Sequence, residues 1–259
     1  MIETVDAFHR GRFHVVQPKG VGHRSGVDAM LLASLVNANG PVSVADFGAG
    51  AGAAGLAVAS RLSQASVLLV ERSPVMADCA RKTLSLPENV ALAPRVTVLE
   101  ADVTSRGRAR LASGLADDVH DHVIMNPPFN DPADRTTPDV LKAEAHAMAD
   151  GLFEGWIRTA GAVLKSGGQL SLIARPQSIA EIIAACGRRF GGLEITVVHP
   201  RPAADATRLL VTAVKGSRAR LLFRAPLFLH GGEGHAFTPE ADALNNGRSA
   251  ISRRGPPRR

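Results

Sequence analysis

One apolar run ends in Asn126, Pro127, Pro128 and Phe129, which combine a side-chain amide, two rigid rings and an aromatic face. That set suits a substrate nitrogen whose lone pair is delocalised into a π system. Such a nitrogen becomes nucleophilic only when it rehybridises towards tetrahedral. The side-chain carbonyl of Asn126 and the backbone carbonyl of Pro127 can accept its two N–H bonds, drawing the hydrogens out of conjugation as charge develops. The prolines stiffen the turn and fix where those carbonyls point. Phe129 offers a face on which a planar group stacks, worth about 1–3 kcal/mol for a base. Hydride transfer has no use for these residues; methylation of a planar nitrogen does.

A methyl donor needs a site of its own, and residues 46–55, DFGAGAGAAG, supply a candidate. Gly50, Gly52 and Gly55 spell G-x-G-x-x-G, the dinucleotide fingerprint. Asp46, Gly48 and Gly50 spell D-x-G-x-G, the cofactor turn of S-adenosylmethionine (SAM) enzymes. Either ligand would sit at the carboxyl end of the strand, where small residues let the backbone approach. Glu71, at the end of the next strand, suits ribose hydroxyls in both classes, or is a solvated strand-end charge. Asp102, ending the third strand, is placed for an adenine amino group. With Asn126 following the fourth, the order decides for SAM, whose methyl is already activated. Positioning supplies the rest, so neither a metal nor a strong general base is needed. The nine histidines show no metal-ligand spacing.

Alternating strand and helix signals place these residues. Strands are predicted over 42–47, 66–71, 95–102, 120–126, 168–174, 193–200 and 208–215. Helices are predicted over 23–38, 52–62, 74–86, 140–164 and 177–190. Ser25 caps the first of them, and Asp28 in its first turn suits the helix dipole. The pattern implies an α/β fold: a doubly wound Rossmann-like sheet, mostly parallel. Residues 199–207 are too short for a helical crossover, so the last two strands form an antiparallel edge hairpin. Phe153 and Trp156, at helical spacing with Ile157 and Ala160, read as core, and Lys142, Glu144 and His146 as a solvated helix face. His199, Arg201 and Arg208 flank the hairpin near the active face, as RNA phosphate contacts or as solvated loop charges.

Composition bounds the rest. A chain of 259 residues that is 45% hydrophobic can bury a sizeable core. Cys79 and Cys186 lack C-x-x-C spacing and read as reduced thiols of a cytoplasmic protein. The N-terminus has no apolar region of a signal peptide, and no run reaches the length of a membrane span. Net charge is +6, which favours a polyanionic partner. From Gly216 onward eight arginines face only Glu233, Glu240 and Asp242, and the final dozen residues are expected to be disordered. No exposed heptad or long apolar stripe speaks for an oligomeric state.

The motifs resemble those of class I amino-methyltransferases with an N-P-P-[Y/F] signature. The lead-in GRFHVVQPKGVGHRSGVDAMLLA (11–33) and the end segments within 199–244, HPRPAADATRLLVTAVKG and APLFLHGGEGHAFTPEADAL, resemble the bacterial valine-tRNA adenine-N6 methyltransferase family. The resemblance covers most of the chain. It implies one methyltransferase domain over 1–259: a lid segment (1–40) that closes on the cofactor with help from Asp28, an α/β core (41–215) and a basic extension (216–259). It further implies N6-methylation of an adenine beside a tRNA anticodon. Relatives often carry tyrosine where this chain has Phe129. N-P-P-F is shared with enzymes that methylate glutamine amides in release factors and ribosomal proteins, or adenine in DNA. No separate N-terminal helical domain precedes the cofactor fold, as it does in release-factor methylases. Three classes stay open: an RNA adenine-N6 methyltransferase, a protein glutamine N5-methyltransferase, and a SAM- or RNA-binding module without turnover.

Overall fold

The computed structural model describes residues 2–19, 25–128 and 151–254. Phe129 and the predicted helix face of Lys142, Glu144 and His146 lie outside them. Among the described residues nine strands form one sheet. Its parallel half comprises β3 (Val42–Phe47), β4 (Ala65–Glu71), β5 (Val96–Glu100), β6 (His120–Met125) and β7 (Leu164–Ala174). These run in the spatial order β7-β6-β3-β4-β5, so the chain reverses its direction of travel between β3 and β6. Strands buried on both faces read as near-continuous apolar runs. Five of the six residues of β3 are buried, with only Ser43 partly exposed.

Two layers of helix cover the sheet. On one face lie α1 (Val27–Ser34), α2 (Ala53–Arg61) and α3 (Pro74–Leu84), the last with Pro74 at its start and the Ser73 hydroxyl accepting from Met76 N. On the other lie α5 (Leu152–Val163) and α6 (Ile179–Cys186), while α4 (Gly107–Ala112) is a short connection after β5. Cys79 and Cys186 are buried free thiols, one in each layer. The doubly wound α/β sheet is as the sequence predicts.

The antiparallel pair is also present, with a correction to its place. β8 (Phe190–His199) pairs β9 (Arg208–Lys215), and β9 inserts between β7 and β8. The hairpin is not the edge, because β10 (Leu222–Phe223) and β11 (Leu227–Phe228) add alongside β8. Strands of two residues carry too little periodicity to be read from sequence.

The lead-in holds a second, unpredicted sheet, β1 (Glu3–Phe8) against β2 (Phe13–Pro18). Its turn places His9 and Arg10 at φ 48° and 56°, a region non-glycine residues rarely adopt. Packing holds them there. The His9 ring is buried edge-on to Phe13 at 5.2 Å, and Arg10 pairs with Asp242 of α7 (Pro239–Asn245) at 3.1 Å. Asn89, fully buried, clamps β2: it accepts from His14 N at 3.0 Å and donates to His14 O and Thr83 O, each at 2.7 Å. The Thr83 hydroxyl accepts from Val16 N at 2.8 Å.

The first predicted helix is shorter than expected. It starts at Val27, and its cap is Gly26 without a side-chain bond. Ser25 is not the cap; its amide donates to Gln17 Oε1 at 2.7 Å, fastening the entry of α1 to β2.

Candidate active site

The carboxyl ends of β3 to β6 open into one cavity of about 420 Å³. Asp46, Glu71, Asp102 and Asn126, one from each strand end, all line it, as do Gly48, Gly50 and Pro127. This is the crevice where an α/β sheet reverses strand order and binds ligands. The motif residues, separated by up to 80 positions, are brought together here.

Each carboxylate is held differently. Asp46 is buried, and its Oδ2 accepts from Gly55 N at 2.8 Å. Burial raises its pKa to about 7, opposed by that hydrogen bond and reinforced by the nearby charge of Glu71. Glu71 accepts from Gly50 N at 2.9 Å through one oxygen and from Ser73 N at 2.8 Å through the other. It thereby sets the loop that follows β3 against the turn that follows β4, and each oxygen keeps a second lone pair for a ligand. Asp102, which lines the cavity, uses Oδ1 twice, for the amide and hydroxyl of Thr104, both at 2.7 Å, and these bonds leave Oδ2 available.

Gly48 adopts φ +67°, and a Cβ there would lie 2.5 Å from Cη2 of Trp156. A side chain at this position is excluded twice, by conformation and by contact. Trp156 reaches the loop from α5 and lines the cavity as well as the core. Core packing, as its spacing predicts, is thus half of its role. Asn126 is half-buried, and its Oδ1 is buried without a hydrogen-bond partner among the described residues. A buried carbonyl without a donor costs about 1–3 kcal/mol, an outlay that a ligand N–H would recover.

The remaining candidates divide. Asp28 does not line the cavity but pairs with Arg208 at 2.8 Å, and Arg208 does line it. His199 is engaged locally, with Nδ1 2.7 Å from Ala204 O and its ring against Phe228. Arg201 binds the carbonyls of Gly232 and Gly234. Neither residue lines the cavity: the His199 side chain braces the turn between β8 and β9, and Arg201 the loop that follows β11. Phe129 falls outside the described residues. The lining residues that went unpredicted include Ser25, Arg72, Met76 and Arg175. Arg175 follows the predicted fifth strand directly, so the strand-end rule that found Glu71 would have found it too.

Among the described residues no group of three or more His, Cys, Asp or Glu is arranged to hold a metal. None of their helices is long and apolar enough to cross a membrane.

Comparison with known proteins adds the following. Residues 12–197 match the methyltransferase small domain family. A tRNA1(Val) (adenine(37)-N6)-methyltransferase from Porphyromonas gingivalis is 27% identical over 91% of both chains. Among solved structures, a predicted O-methyltransferase from Agrobacterium tumefaciens is 60% identical, with a TM-score of 0.77 over 87% of this chain and 99% of its own. A 16S rRNA N2 methyltransferase from Thermus thermophilus, in complex with AdoMet and guanosine, shares the fold at 18% identity and a TM-score of 0.53, over 83% of this chain and 50% of its own. The chain belongs to the methyltransferase small domain family and is a SAM-dependent methyltransferase.

Proposed function

We propose that the enzyme methylates the exocyclic N6 nitrogen of an adenine in RNA, with tRNA as the substrate class. One observation carries this reading: Asn126 stands at the end of β6, in the same cavity as Asp46, Glu71 and Asp102, with its Oδ1 buried and unpartnered. The similarity to tRNA adenine-N6 methyltransferases over 91% of both chains supports the choice of substrate. So does the net charge of +6.

The cavity fits SAM, which would supply a methyl group already activated as a sulfonium. Gly48 and Gly50 give a ligand access to backbone that side chains would block. Glu71 and Asp102 keep acceptor sites for ribose hydroxyls and an adenine amine. The chemistry left to the protein is positional. Asn126 Oδ1 and Pro127 O accept the two amine N–H bonds, and Pro127 and Pro128 fix both acceptors. Phe129 supplies the stacking face. Residues from Ser25 to Ala29, two of which line the cavity, act as the closing edge of the lead-in. The Asp28–Arg208 pair holds that edge to the start of β9. The whole chain acts as one methyltransferase unit working in the cytoplasm.

An oxygen acceptor, suggested by the description of the Agrobacterium relative, suits this site less well. An alcohol presents one proton to remove, whereas the Asn126-Pro127 turn offers two carbonyls and no base.

The test is transfer of radiolabelled methyl from SAM into a cell extract, separated afterwards into RNA, protein and DNA. Label in tRNA that digests to N6-methyladenosine supports the reading. Label in protein glutamine would replace it with a protein methylase, and silence in every fraction with a binding module. Asn126→Ala is the control: SAM affinity should stay within a few-fold while turnover falls at least about 100-fold, as when a transition-state acceptor is lost.

A further inference from the structure

We propose a second RNA-docking surface at the outer edge of the sheet, centred on Phe223, Arg218 and Arg220. It rests on the RNA reading above and says where the RNA runs after it leaves the cavity.

Three consecutive apolar residues are exposed there: Leu221 by 38%, Leu222 by 43% and Phe223 by 68%. They occupy or adjoin β10, whose one neighbour among the described residues is β8. Between Asp205 and Glu233 the sequence contains no acid but five cations: Arg208, Lys215, Arg218, Arg220 and Arg224. Backbone hydrogen bonds bring in more. Gly216 N donates to Arg189 O, and Gly192 N to Ala219 O, each at 2.8 Å, so the end of α6 lies beside this segment. Arg254 N donates to Glu194 Oε2 at 3.1 Å, which adds the C-terminal strand of chain. Arg188, Arg218, Arg220 and Arg254 are all exposed, and none has an ion pair among the described residues. The single acid at their centre, Glu194, is buried and already matched by Arg224 and Arg253.

Exposed guanidiniums around an exposed aromatic ring form the combination that holds nucleic acid. The cations take backbone phosphate, and the ring stacks an unpaired base. A second copy of the chain meeting this edge would set arginines against arginines, which disfavours self-association. Position favours RNA further. One row of paired residues crosses the sheet from Phe223 through Ile195, Val211 and Leu172 to Met125, the neighbour of Asn126. Four strand spacings separate its ends, about 19 Å. A polynucleotide with its target base in the cavity can span that distance; a free nucleoside cannot.

The experiment measures RNA binding by the full chain as a function of salt, for wild type, Arg218→Ala/Arg220→Ala and Phe223→Ala. The double variant should lower the slope of log affinity against log salt by about 1.4–1.8, the loss of two phosphate contacts. Its KM for RNA should rise with kcat and SAM affinity unchanged. Phe223→Ala should weaken binding at least about fivefold without altering the slope. An unchanged slope and affinity in an enzyme that methylates RNA would overturn the surface and leave the proposed function standing. Wild-type label in protein instead of RNA overturns the function itself. A change in sedimentation for Phe223→Ala, with RNA binding intact, would assign this edge to a second copy.

Discussion

At the scale of single residues, the cavity is organised around groups whose needs the fold leaves partly unmet. Asp46 is the clearest. Its carboxylate is buried, receives one backbone N–H and has the charge of Glu71 nearby; burial dominates, so its pKa rises from 3.8 to about 7. The sign follows directly: the folded state holds a proton that the unfolded chain has released above pH 4. Stability from this group is full below about pH 4 and is lost as pH rises to about 7. Asp46→Asn keeps an acceptor for Gly55 N and cannot ionise, so its stability relative to wild type should improve steadily across that window. Denaturant melts at several pH values test this; parallel curves for the two proteins would refute it. Trp156 gives a second handle, since it is the only tryptophan in a chain without tyrosine. Its indole packs on Gly48 and lines the cavity. Its emission should therefore respond to SAM titration, and Gly48→Ala should abolish the response along with binding. Emission that ignores saturating SAM would place the cofactor elsewhere.

At the scale of elements, the lead-in behaves as a fastened hairpin. Asn89 alone makes three hydrogen bonds to it and to the end of α3, from a site with no exposure. Asn89→Ala orphans those backbone groups and should cost about 2–4 kcal/mol, lowering Tm by on the order of 10 °C. A Tm within 2 °C of wild type, roughly half a kcal/mol to one, would mean that the clamp is redundant. The turn of the same hairpin is sensitive to acid. Burial, with help from Arg12 and Arg61, lowers the His9 pKa to about 4. Stability from neutral His9 is present above pH 6.5 and lost as pH falls towards 4. His9→Leu should remove that loss, seen as a smaller fall in Tm between pH 6.5 and 4. Little of this hairpin is legible in the sequence. In β1 burial alternates, but the exposed residues are Glu3, Val5 and Ala7 and the half-buried ones Thr4, Asp6 and Phe8, so apolar residues do not mark the inward face. The core strands are different. Val42–Phe47 and Arg208–Lys215 fall where their apolar runs place them, because burial on both faces leaves an unmistakable block of apolar residues. The strand-end acids and Asn126 follow from that register. Arg175 follows by the same rule, directly after the strand that ends at Ala174, whereas Trp156 does not, since its approach to the cavity depends on how helix and sheet pack.

At the scale of the whole molecule, the C-terminal segment is built into the fold, which corrects an expectation. The final dozen residues were expected to be disordered, yet residues 248–254 are tied into the structure. Ile251 N donates to Ser34 O, and Asn37 Nδ2 to Ile251 O, both at 3.0 Å. Arg253 donates to the Thr212 hydroxyl at 2.6 Å and to Gly192 O, and it pairs with Glu194 at 3.4 Å. A buried carboxylate drew the segment in: Glu194 on β8 is 4% exposed and needs cations that the strands around it do not supply. Sequence composition registers the arginines as a solvated tail because their partner lies 60 residues away. Removing residues 251–259 should therefore destabilise the fold itself, leaving Glu194 with Arg224 alone. Breaking part of a buried ion pair costs up to about 3–5 kcal/mol. Glu194→Gln in the truncated chain should restore much of that loss, because a neutral amide no longer needs the missing guanidinium. The measurement is a double-mutant cycle on thermal or denaturant melts. Strong coupling between truncation and Glu194→Gln is the expected outcome. Additive effects, or a truncated chain as stable as the intact one, would return the segment to a surface role and leave its arginines free to serve RNA alone.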